Sequence, residues 1–569
     1  MLTWDGPLIV QADCTVLLDE RHPAAHEARE RLSRFADLVK RPGDLHTYQI
    51  SPMSVWNAAS SGMGAEAMTD CLQRYSRYDV PGSLLDRINR LTERYGKARL
   101  IPWQDGLALV SDDPSIAEEL GGLSIGSAIT DPALGNGQGW RVEAERRGDL
   151  KRELIRRGIP VLDMAGYHQG EALPIALRTR TKSGRPFAPR DYQEQAAELF
   201  YRDGTAHGGS GVLVLPCGAG KTIVGLCALA RLSCAALILT SNVTSVKQWR
   251  NELLDKTTLT EAEVGEYAGS ERDVKPVTIA TYQIMTHRGA KTDAYRHMKL
   301  FGERDWGLII YDEVHLLPAP VFRMTAGIQA TRRLGLTATL VREDGREEDV
   351  FSLIGPKRYD LPWRTLEAKG WIAAVTCAEI RVPLTGAAAE RYHKAEQRAK
   401  GRLAAENPGK SEIVEELLRL HRGRQVLVIG QYLTQLKRLA AQFEAPLITG
   451  ETPHDERERV FGRFKTGEHR LLIVSKVANF AVDLPDAAVA IQVSGSFGSR
   501  QEEAQRIGRI LRPKAGDNAA WFYTLVSEGT AETDYARKRQ LFLTEQGYEY
   551  QLIRRGGTDR ARTKEASSE

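Results

Sequence analysis

The chain has 569 residues, too many for one hydrophobic core, and its 42% hydrophobic and 27% charged residues are those of an ordinary globular protein rather than a disordered, collagenous or membrane-spanning one. A formal charge of +4 is small for this length, so contact with a polyanion has to come from local basic surfaces. No apolar stretch approaches the roughly 18 residues that cross a bilayer, and MLTWDGPLIVQADC lacks the basic start and cleavage site of a secretory signal, so a cytoplasmic protein with no membrane partner is expected.

Six cysteines, Cys14, Cys71, Cys217, Cys227, Cys234 and Cys377, are scattered without a C-x-x-C pair. That spacing speaks for buried free thiols and against a zinc knuckle, an iron-sulfur cluster or a disulfide framework. Near the start, Ala25, Ala28, Leu32, Phe35 and Val39 recur at helical spacing, and AEAMTDCLQRYS and GSLLDRINRLTERYG continue the pattern. KARLIPWQDGLALV reads as two strands around a turn at Asp105 and Gly106. Three helices and a hairpin suit a winged-helix-like domain over residues 1–112, although other small helical domains give the same string. Strand WRVEAE and helix GDLKRELIRRG make a small α/β unit over 113–168. QGEALPIALRTRTKSGRPFAP, rich in Pro, Gly, Arg and Lys, reads as a linker over 169–188, its charge serving either solvation or nucleic-acid contact.

From there strands alternate with helices. GVLVLP, AALILT, VTIATY, WGLIIYDE and RRLGLTAT form one series, over residues 189–366, and QVLVIG, APLITG, HRLLIVSK, AAVAIQVS and AAWFYTLV a second, over 367–545. Such alternation predicts two tandem α/β domains, each a parallel sheet covered on both faces. Residues 546–569, ending RRGGTDRARTKEASSE, are polar and aperiodic and read as a frayed tail.

GVLVLPCGAGKT combines an apolar strand, a turn with Gly218 and Gly220, and Lys221 and Thr222 opening a helix. Glycines let backbone N–H groups approach phosphate oxygens and the helix N-terminus adds a favourable dipole, while Lys221 would reach the terminal phosphates of ATP and Thr222 would ligate magnesium. The full phosphate-loop pattern has a glycine where this chain has Leu215, which weakens the motif taken alone. The run Leu308–Ile310 ends in Asp312 and Glu313. Ligands sit outside the carboxyl ends of parallel strands, so Asp312 can hold magnesium and Glu313 can take a proton from the water attacking the γ phosphate. Solvated acids after a core strand are the bland alternative; the order of loop, acid pair and GLTAT argues against it. Gln193 has the donor and acceptor to read an adenine edge, although helix glutamines are usually only exposed. In EEAQRIGRILRP, Arg506, Arg509 and Arg512 fall at three-residue spacing along one helix side. An arginine directed at the γ phosphate is worth about 1,000- to 100,000-fold in turnover.

LPCGAGKT, DEVH, GLTATLVREDG, SKVANFAVDLPDA and GSRQEEAQRIGRILRPK together resemble the motifs of superfamily 2 DNA helicases of the XPB type, in particular its bacterial branch. The resemblance covers residues 1 to 550 and is strongest from 186 to 515. It implies two RecA-like domains, preceded by a small mixed α+β region, that trap ATP and magnesium in the cleft between them and unwind or translocate DNA 3′ to 5′ in repair or at promoters. Position by position it implies nucleotide roles for Arg190, Gln193, Gly218, Gly220, Lys221, Thr222, Asp312 and Glu313, and arginine fingers at Arg509 and Arg512. It further implies coupling roles for His315, Thr337, Thr339, Asp483 and Gln505, and a strand-separating Arg342, Glu343 and Asp344. Many helicases have a glycine two residues before the aspartate matched by Asp483, where this chain has Ala481. ERYHKAEQRAKGR, inside a thumb-like insertion at about 385–412, is either a phosphate-contacting helix or a solvated one. The expected partners are DNA at single-strand and duplex junctions and a nuclease or repair protein, the expected place the nucleoid, and the expected state a monomer. Competing readings are a duplex translocase that melts DNA only with such a partner, and a nucleotide-switched DNA scaffold.

Overall fold

Period-two burial builds the first sheet: Leu8 and Val10 on β1 (Leu8–Val10) and Val16 and Leu18 on β2 (Thr15–Asp19) face inward while their neighbours are more exposed. The computed structural model describes residues 6–40, 44–104, 106–121, 129–132, 139–205, 207–216, 218–288, 295–329, 331–338, 347–361, 366–367, 369–371, 373–475, 487–494, 519–534, 536–537 and 550–554. The chain forms two units, the first ending with Leu361.

In the first unit, helix α1 (Ala25–Leu32) is followed by β3 (Asp37–Lys40) and β4 (Leu45–Gln49), which complete an antiparallel sheet in the order β1-β2-β4-β3. Helices α2 (Pro52–Ser60), α3 (Ala65–Tyr75) and α4 (Gly82–Arg94) bury Val55, Met68, Leu72, Leu84 and Ile88 in the same core. This replaces the expected winged helix. Its hairpin, β5 (Ala98–Trp103) and β6 (Gly106–Ser111), belongs to the next sheet, with β7 (Ile129–Pro132), β8 (Gly139–Val142) and β9 (Val161–Asp163), in the order β7-β8-β6-β5-β9. The boundary expected at residue 112 therefore cuts through one sheet. A two-stranded hairpin left outside would expose its edges, and partners 30 to 60 residues later satisfy them instead.

Helix α5 (Pro114–Gly121) and helix α6 (Arg147–Arg156) cover that sheet. Residues 169–188 are no free linker. Ala235 donates its N–H to the carbonyl of Glu171 (2.8 Å) and Leu173 to that of Ser233 (2.9 Å), Arg178 donates to that of Lys256 (2.8 Å), and Leu173 and Ile175 are buried. Gly170, at φ +74°, lies so close to the backbone of Gly307 that a Cβ there would be 2.2 Å from its nitrogen. Apolar residues spaced through a Pro- and Gly-rich run gave no period to read, yet they strap the segment along the domain that follows.

That domain runs α7 (Asp191–Tyr201), β10 (Ser210–Val214), α8 (Lys221–Leu232), β11 (Ala236–Thr240), α9 (Val243–Lys256), β12 (Val264–Tyr267), β13 (Val277–Thr281), α10 (Tyr282–Met285), β14 (Leu308–Asp312), α11 (Ala319–Gly327), β15 (Arg332–Thr337), α12 (Glu347–Leu353) and β16 (Lys357–Asp360). All pairings are parallel, in the order β12-β13-β11-β14-β15-β10-β16. Strands β10, β11 and β13 are buried along their whole length, as a sheet covered on both faces requires. The N-terminal elements pack on this domain through Trp56, Ile155 and Phe351, and Asn57 Oδ1 accepts from the backbone N–H of Lys357 at 2.9 Å.

The second unit repeats the plan with β17 (Ala374–Val382), α13 (Gly386–Lys394), α14 (Gln397–Ala405), α15 (Gly409–Leu420), β18 (Val426–Gly430), α16 (Leu433–Gln442), β19 (Leu447–Ile448), α17 (His454–Lys465), β20 (Leu471–Ser475), β21 (Val489–Gln492), β22 (Ala519–Ser527) and β23 (Tyr550–Arg554). Its sheet is parallel too, in the order β19-β20-β18-β21-β22-β17-β23. The expected tail thus begins with a strand, because β17 offers an edge to residues 550–554. On α13, Tyr392 is buried and its hydroxyl accepts from the Ala531 N–H at 3.1 Å, while Arg391, His393 and Lys394 are exposed. Among the described residues no helix is long and apolar enough to cross a membrane, and Cys14, Cys71, Cys227, Cys234 and Cys377 are buried free thiols.

Candidate nucleotide site

The carboxyl ends of β10, β14 and β15 lie side by side, with β15 between the other two. After β10 the chain stays extended: Leu215 is fully buried and donates its N–H to the Thr337 carbonyl at 2.9 Å, continuing the ladder. Position 215, just past the end of β10, still pairs with β15, so the glycine of the usual pattern is not needed for a turn there. The turn comes at Gly218 (φ +82°) and Gly220 (φ +76°), and Gly220 caps α8, so Lys221 and Thr222 stand in that helix's first turn. A Cβ on Gly220 would lie 2.6 Å from Gln193 Nε2, which places the Gln193 amide directly over the loop. Gln193 is buried, and its Oε1 accepts the backbone N–H of Arg190 at 2.9 Å, closing the start of α7. The Arg190 guanidinium donates to the Tyr192 hydroxyl at 3.4 Å.

Asp312 is the last residue of β14, and Glu313 follows in the left-handed region, φ +55° and ψ 54°, uncommon for a residue with a side chain. That turn aims the two carboxylates differently. Glu313 Oε1 lies 3.1 Å from Lys221 Nζ, and Oε2 lies 3.6 Å from His315 Nδ1. His315 Nδ1 and Thr337 Oγ1 share a hydrogen bond of 2.7 Å, so β14 and β15 are linked through these side chains. Asp312 Oδ2 accepts from the indole Nε1–H of Trp249 at 2.9 Å, and its backbone carbonyl accepts from the Tyr282 hydroxyl at 3.0 Å.

Burial and the charge of Glu313 push the Asp312 carboxyl up to about 6, against the opposing pull of Lys221 and the Trp249 hydrogen bond. Burial acts the same way on Glu313, but the charges of Lys221 and His315 outweigh it and hold that carboxyl below its ordinary value. Neighbouring acids with opposite shifts are suited to different tasks.

Trp249 and Tyr282 were not legible as site residues. A tryptophan on an apolar helix face reads as core, and nothing in the local spacing couples it to an acid 63 residues on. The one signal was Gly225 inside α8, where a Cβ would meet the Trp249 ring at 2.5 Å. The structure brings together Gln193, Gly220, Lys221, Asp312, Glu313, His315 and Thr337. Thr339, Arg342, Glu343, Asp344, Asp483, Gln505, Arg509 and Arg512 lie outside the described residues.

Magnesium fits the donor set. Groups of three or more His, Cys, Asp or Glu side chains that could cage a metal are absent among the described residues. A nucleotide-bound magnesium takes one or two protein oxygens and leaves its other positions to phosphate and water, and Asp312 with Thr222 offer that number.

Three family models match: ERCC3/RAD25/XPB C-terminal helicase over residues 366–567, a helicase conserved C-terminal domain over 8–124, and the type III restriction enzyme res subunit over 186–342. The chain is 52% identical over 553 residues to a DNA 3'-5' helicase XPB of Kineococcus radiotolerans, covering 96% of each chain. It is 50% identical over 552 residues to the protein of that name in Mycobacterium tuberculosis, covering 96% of this chain and 97% of the other. A general transcription and DNA repair factor IIH helicase/translocase subunit XPB of Encephalitozoon cuniculi is 33% identical over 562 residues, covering 96% of this chain and 82% of that one. Fold and site define a tandem RecA-like protein with a phosphate loop and an acid pair at the carboxyl edge of its first large sheet. Within that class the chain belongs to the XPB family of DNA helicases.

Proposed function

We propose that the chain is an ATP-dependent 3′ to 5′ DNA helicase that couples hydrolysis to movement along DNA in repair. The observation that carries this reading is the continuous run of side chains from Lys221 through Glu313 and His315 to Thr337. It connects the phosphate loop to the end of β15, immediately before the segment holding Thr339, Arg342, Glu343 and Asp344. Lys221 pairs with Glu313 at 3.1 Å. A bound triphosphate draws the Lys221 ammonium to its terminal phosphates, which leaves Glu313 to orient the attacking water and accept its proton. Gln193 and Arg190 read the adenine, and Thr222 and Asp312 would hold magnesium, which supplies charge neutralisation on the phosphates when bound. Arg509 and Arg512 are proposed as the arginine fingers, Asp483 and Gln505 as coupling residues, and Arg342, Glu343 and Asp344 as the strand-separating group, all on the family's pattern. The exposed Arg391, His393 and Lys394 support a DNA-contacting thumb on α13. The factor IIH relative is described as a helicase/translocase. A second reading that we propose is a duplex translocase that melts DNA only with a partner such as a nuclease.

ATP hydrolysis and strand displacement on 3′-tailed, 5′-tailed, blunt and forked DNA test the proposal. Lys221→Ala and Glu313→Gln each abolish DNA-stimulated hydrolysis, with Glu313→Gln still binding ATP; normal turnover in either refutes the site. Displacement of 3′-tailed duplex supports the helicase, and hydrolysis without displacement supports the translocase.

A further inference from the structure

On the opposite edge of the first RecA-like sheet, away from the nucleotide residues, the N-terminal module meets the domain through an excess of buried cations. Arg147, Lys151 and Arg333 are 3%, 6% and 1% exposed. Arg147 donates from Nε and Nη2 to the two oxygens of Asp163 at 2.9 and 2.7 Å, and Lys151 Nζ donates to Asp163 Oδ2 at 2.7 Å. Arg333 has no carboxylate hydrogen-bond partner among the described residues: it donates to the carbonyls of Leu353 and Gln329, each at 2.7 Å, and to that of Thr331. Tyr167 lies among the cations, with the Arg147 and Arg333 guanidinium carbons each 5.5 Å from its ring centre. One carboxylate thus serves three buried positive charges, where buried ions ordinarily need a partner each.

Beside this cluster is a cavity of about 40 Å³, whose polar lining includes Tyr95, Lys151, Asp163, His207, Ser210, Ser352 and Arg358. Arg358 also lacks a carboxylate partner among the described residues: it donates to the backbone carbonyls of Ser210 and His207 at 3.1 and 2.9 Å. The Ser210 hydroxyl accepts from Tyr167 at 2.9 Å, which leaves its own proton available. Asp163 is the one carboxylate of the lining among the described residues, and both its oxygens are already taken by Arg147 and Lys151. The cavity is therefore rich in donors and poor in acceptors. Burial foremost, then the repulsion of Arg333 and Arg147, depresses the Lys151 ammonium to about 7 despite the attraction of Asp163.

We infer that this cavity binds one small inorganic oxyanion of the phosphate or sulfate class, held by Lys151, Arg358 and the Ser210 hydroxyl. A water needs roughly 10–15 Å³ of such space, so the cavity of about 40 Å³ holds about three to four water-sized atoms, the size of one tetrahedral anion and too small for a nucleotide. The anion bridges α6, which carries Lys151, to Ser210 at the amino end of β10 and Arg358 on β16. It thereby welds the N-terminal module to the motor domain.

The test is isothermal titration of the full chain carrying Lys221→Ala, which silences the phosphate loop, with inorganic phosphate at constant ionic strength in chloride. One phosphate per chain is expected to bind. Adding Lys151→Met, or separately Arg358→Gln on the more open side of the cavity, weakens binding at least tenfold, and circular dichroism checks that each variant is folded. Should Lys151→Met fail to fold, Arg358→Gln decides. Absence of phosphate binding beyond the chloride background, or affinity unchanged in a folded variant, overturns the assignment.

Discussion

Trp249 donates its indole N–H to Asp312 Oδ2 at 2.9 Å, joining a helix of the sheet's outer layer to the acid that ends β14. The ring also fills the space left by Gly225 on α8, the helix that Lys221 opens. One side chain therefore sets the spacing between the phosphate loop and the acid proposed to hold magnesium. A hydrogen bond to a charged group is worth about 1.5–3 kcal/mol. Trp249→Phe is expected to lower turnover about ten- to hundredfold and to move the acid limb of the pH profile upward, because the lost donor was holding the Asp312 carboxyl down. ATPase rates against pH and magnesium check this; an unshifted profile removes Trp249 from the site.

When ionised, Asp312 costs the fold stability. Its carboxyl rises from 3.8 to about 6 on folding, chiefly by burial and then by Glu313. A raised acid favours the fold when protonated, so that contribution is complete below about pH 4 and is lost as pH rises through 6. Asp312→Asn is expected to stabilise the protein without nucleotide by roughly 1–3 kcal/mol at pH 8 and by about half as much at pH 5, while abolishing hydrolysis. Urea denaturation at the two pH values decides it, and equal effects at both contradict the assigned burial.

Glu313 has the opposite sign. Burial raises its carboxyl, but Lys221 and His315 together bring it below the ordinary value, so its contribution is present at neutral pH and is lost as pH falls through the acid range. In Lys221→Ala the main counter-charge is gone, and the midpoint of acid unfolding is expected to move to higher pH. Acid titration followed by circular dichroism reads this, and coincident curves would mean that the 3.1 Å ion pair has no weight in solution.

The 2.7 Å hydrogen bond between His315 and Thr337 links two strand ends without touching the phosphate loop. His315→Ala and Thr337→Val are each expected to retain ATP binding and basal hydrolysis and to lose most of the stimulation by DNA. Hydrolysis measured with and without DNA is the readout. Full stimulation in both variants would leave the bond a packing feature only.

Residues 1–185 are not a detachable module. Trp56 and Ile155 cover Phe351, and the strap at 171–178 pairs with residues 233–258. A chain beginning at residue 186 is expected to unfold at least several degrees below one beginning at 170, and both below the full chain, by thermal denaturation. Equal melting temperatures would mean that the strap contributes nothing.

The parallel sheets, the phosphate loop and the acid pair could be read directly because each is a local pattern: a short apolar run, a glycine turn at Gly218 and Gly220, and carboxylates immediately after Ile310 and Tyr311. Gln193 depended on its place upstream of the loop, and only the structure lays its amide over Gly220. The N-terminal sheet was missed because β1 and β2 are three and five residues long, too short for alternation to stand out beside the helices that follow. The 550–554 strand was missed because Leu552 and Ile553 remain half exposed, so its reason for being a strand is the open edge of β17 rather than its own pattern.

Chain order and residue type alone were enough to specify the class of chemistry, since a phosphate cradle and a catalytic acid each need a few residues at close spacing. Which buried groups surround those residues was settled by folding. Trp249 and Asp312 are 63 positions apart and His315 and Thr337 are 22, and they meet because parallel strands bring their carboxyl ends to one edge; the cations around Asp163 meet at the opposite edge, where α6 packs on the domain.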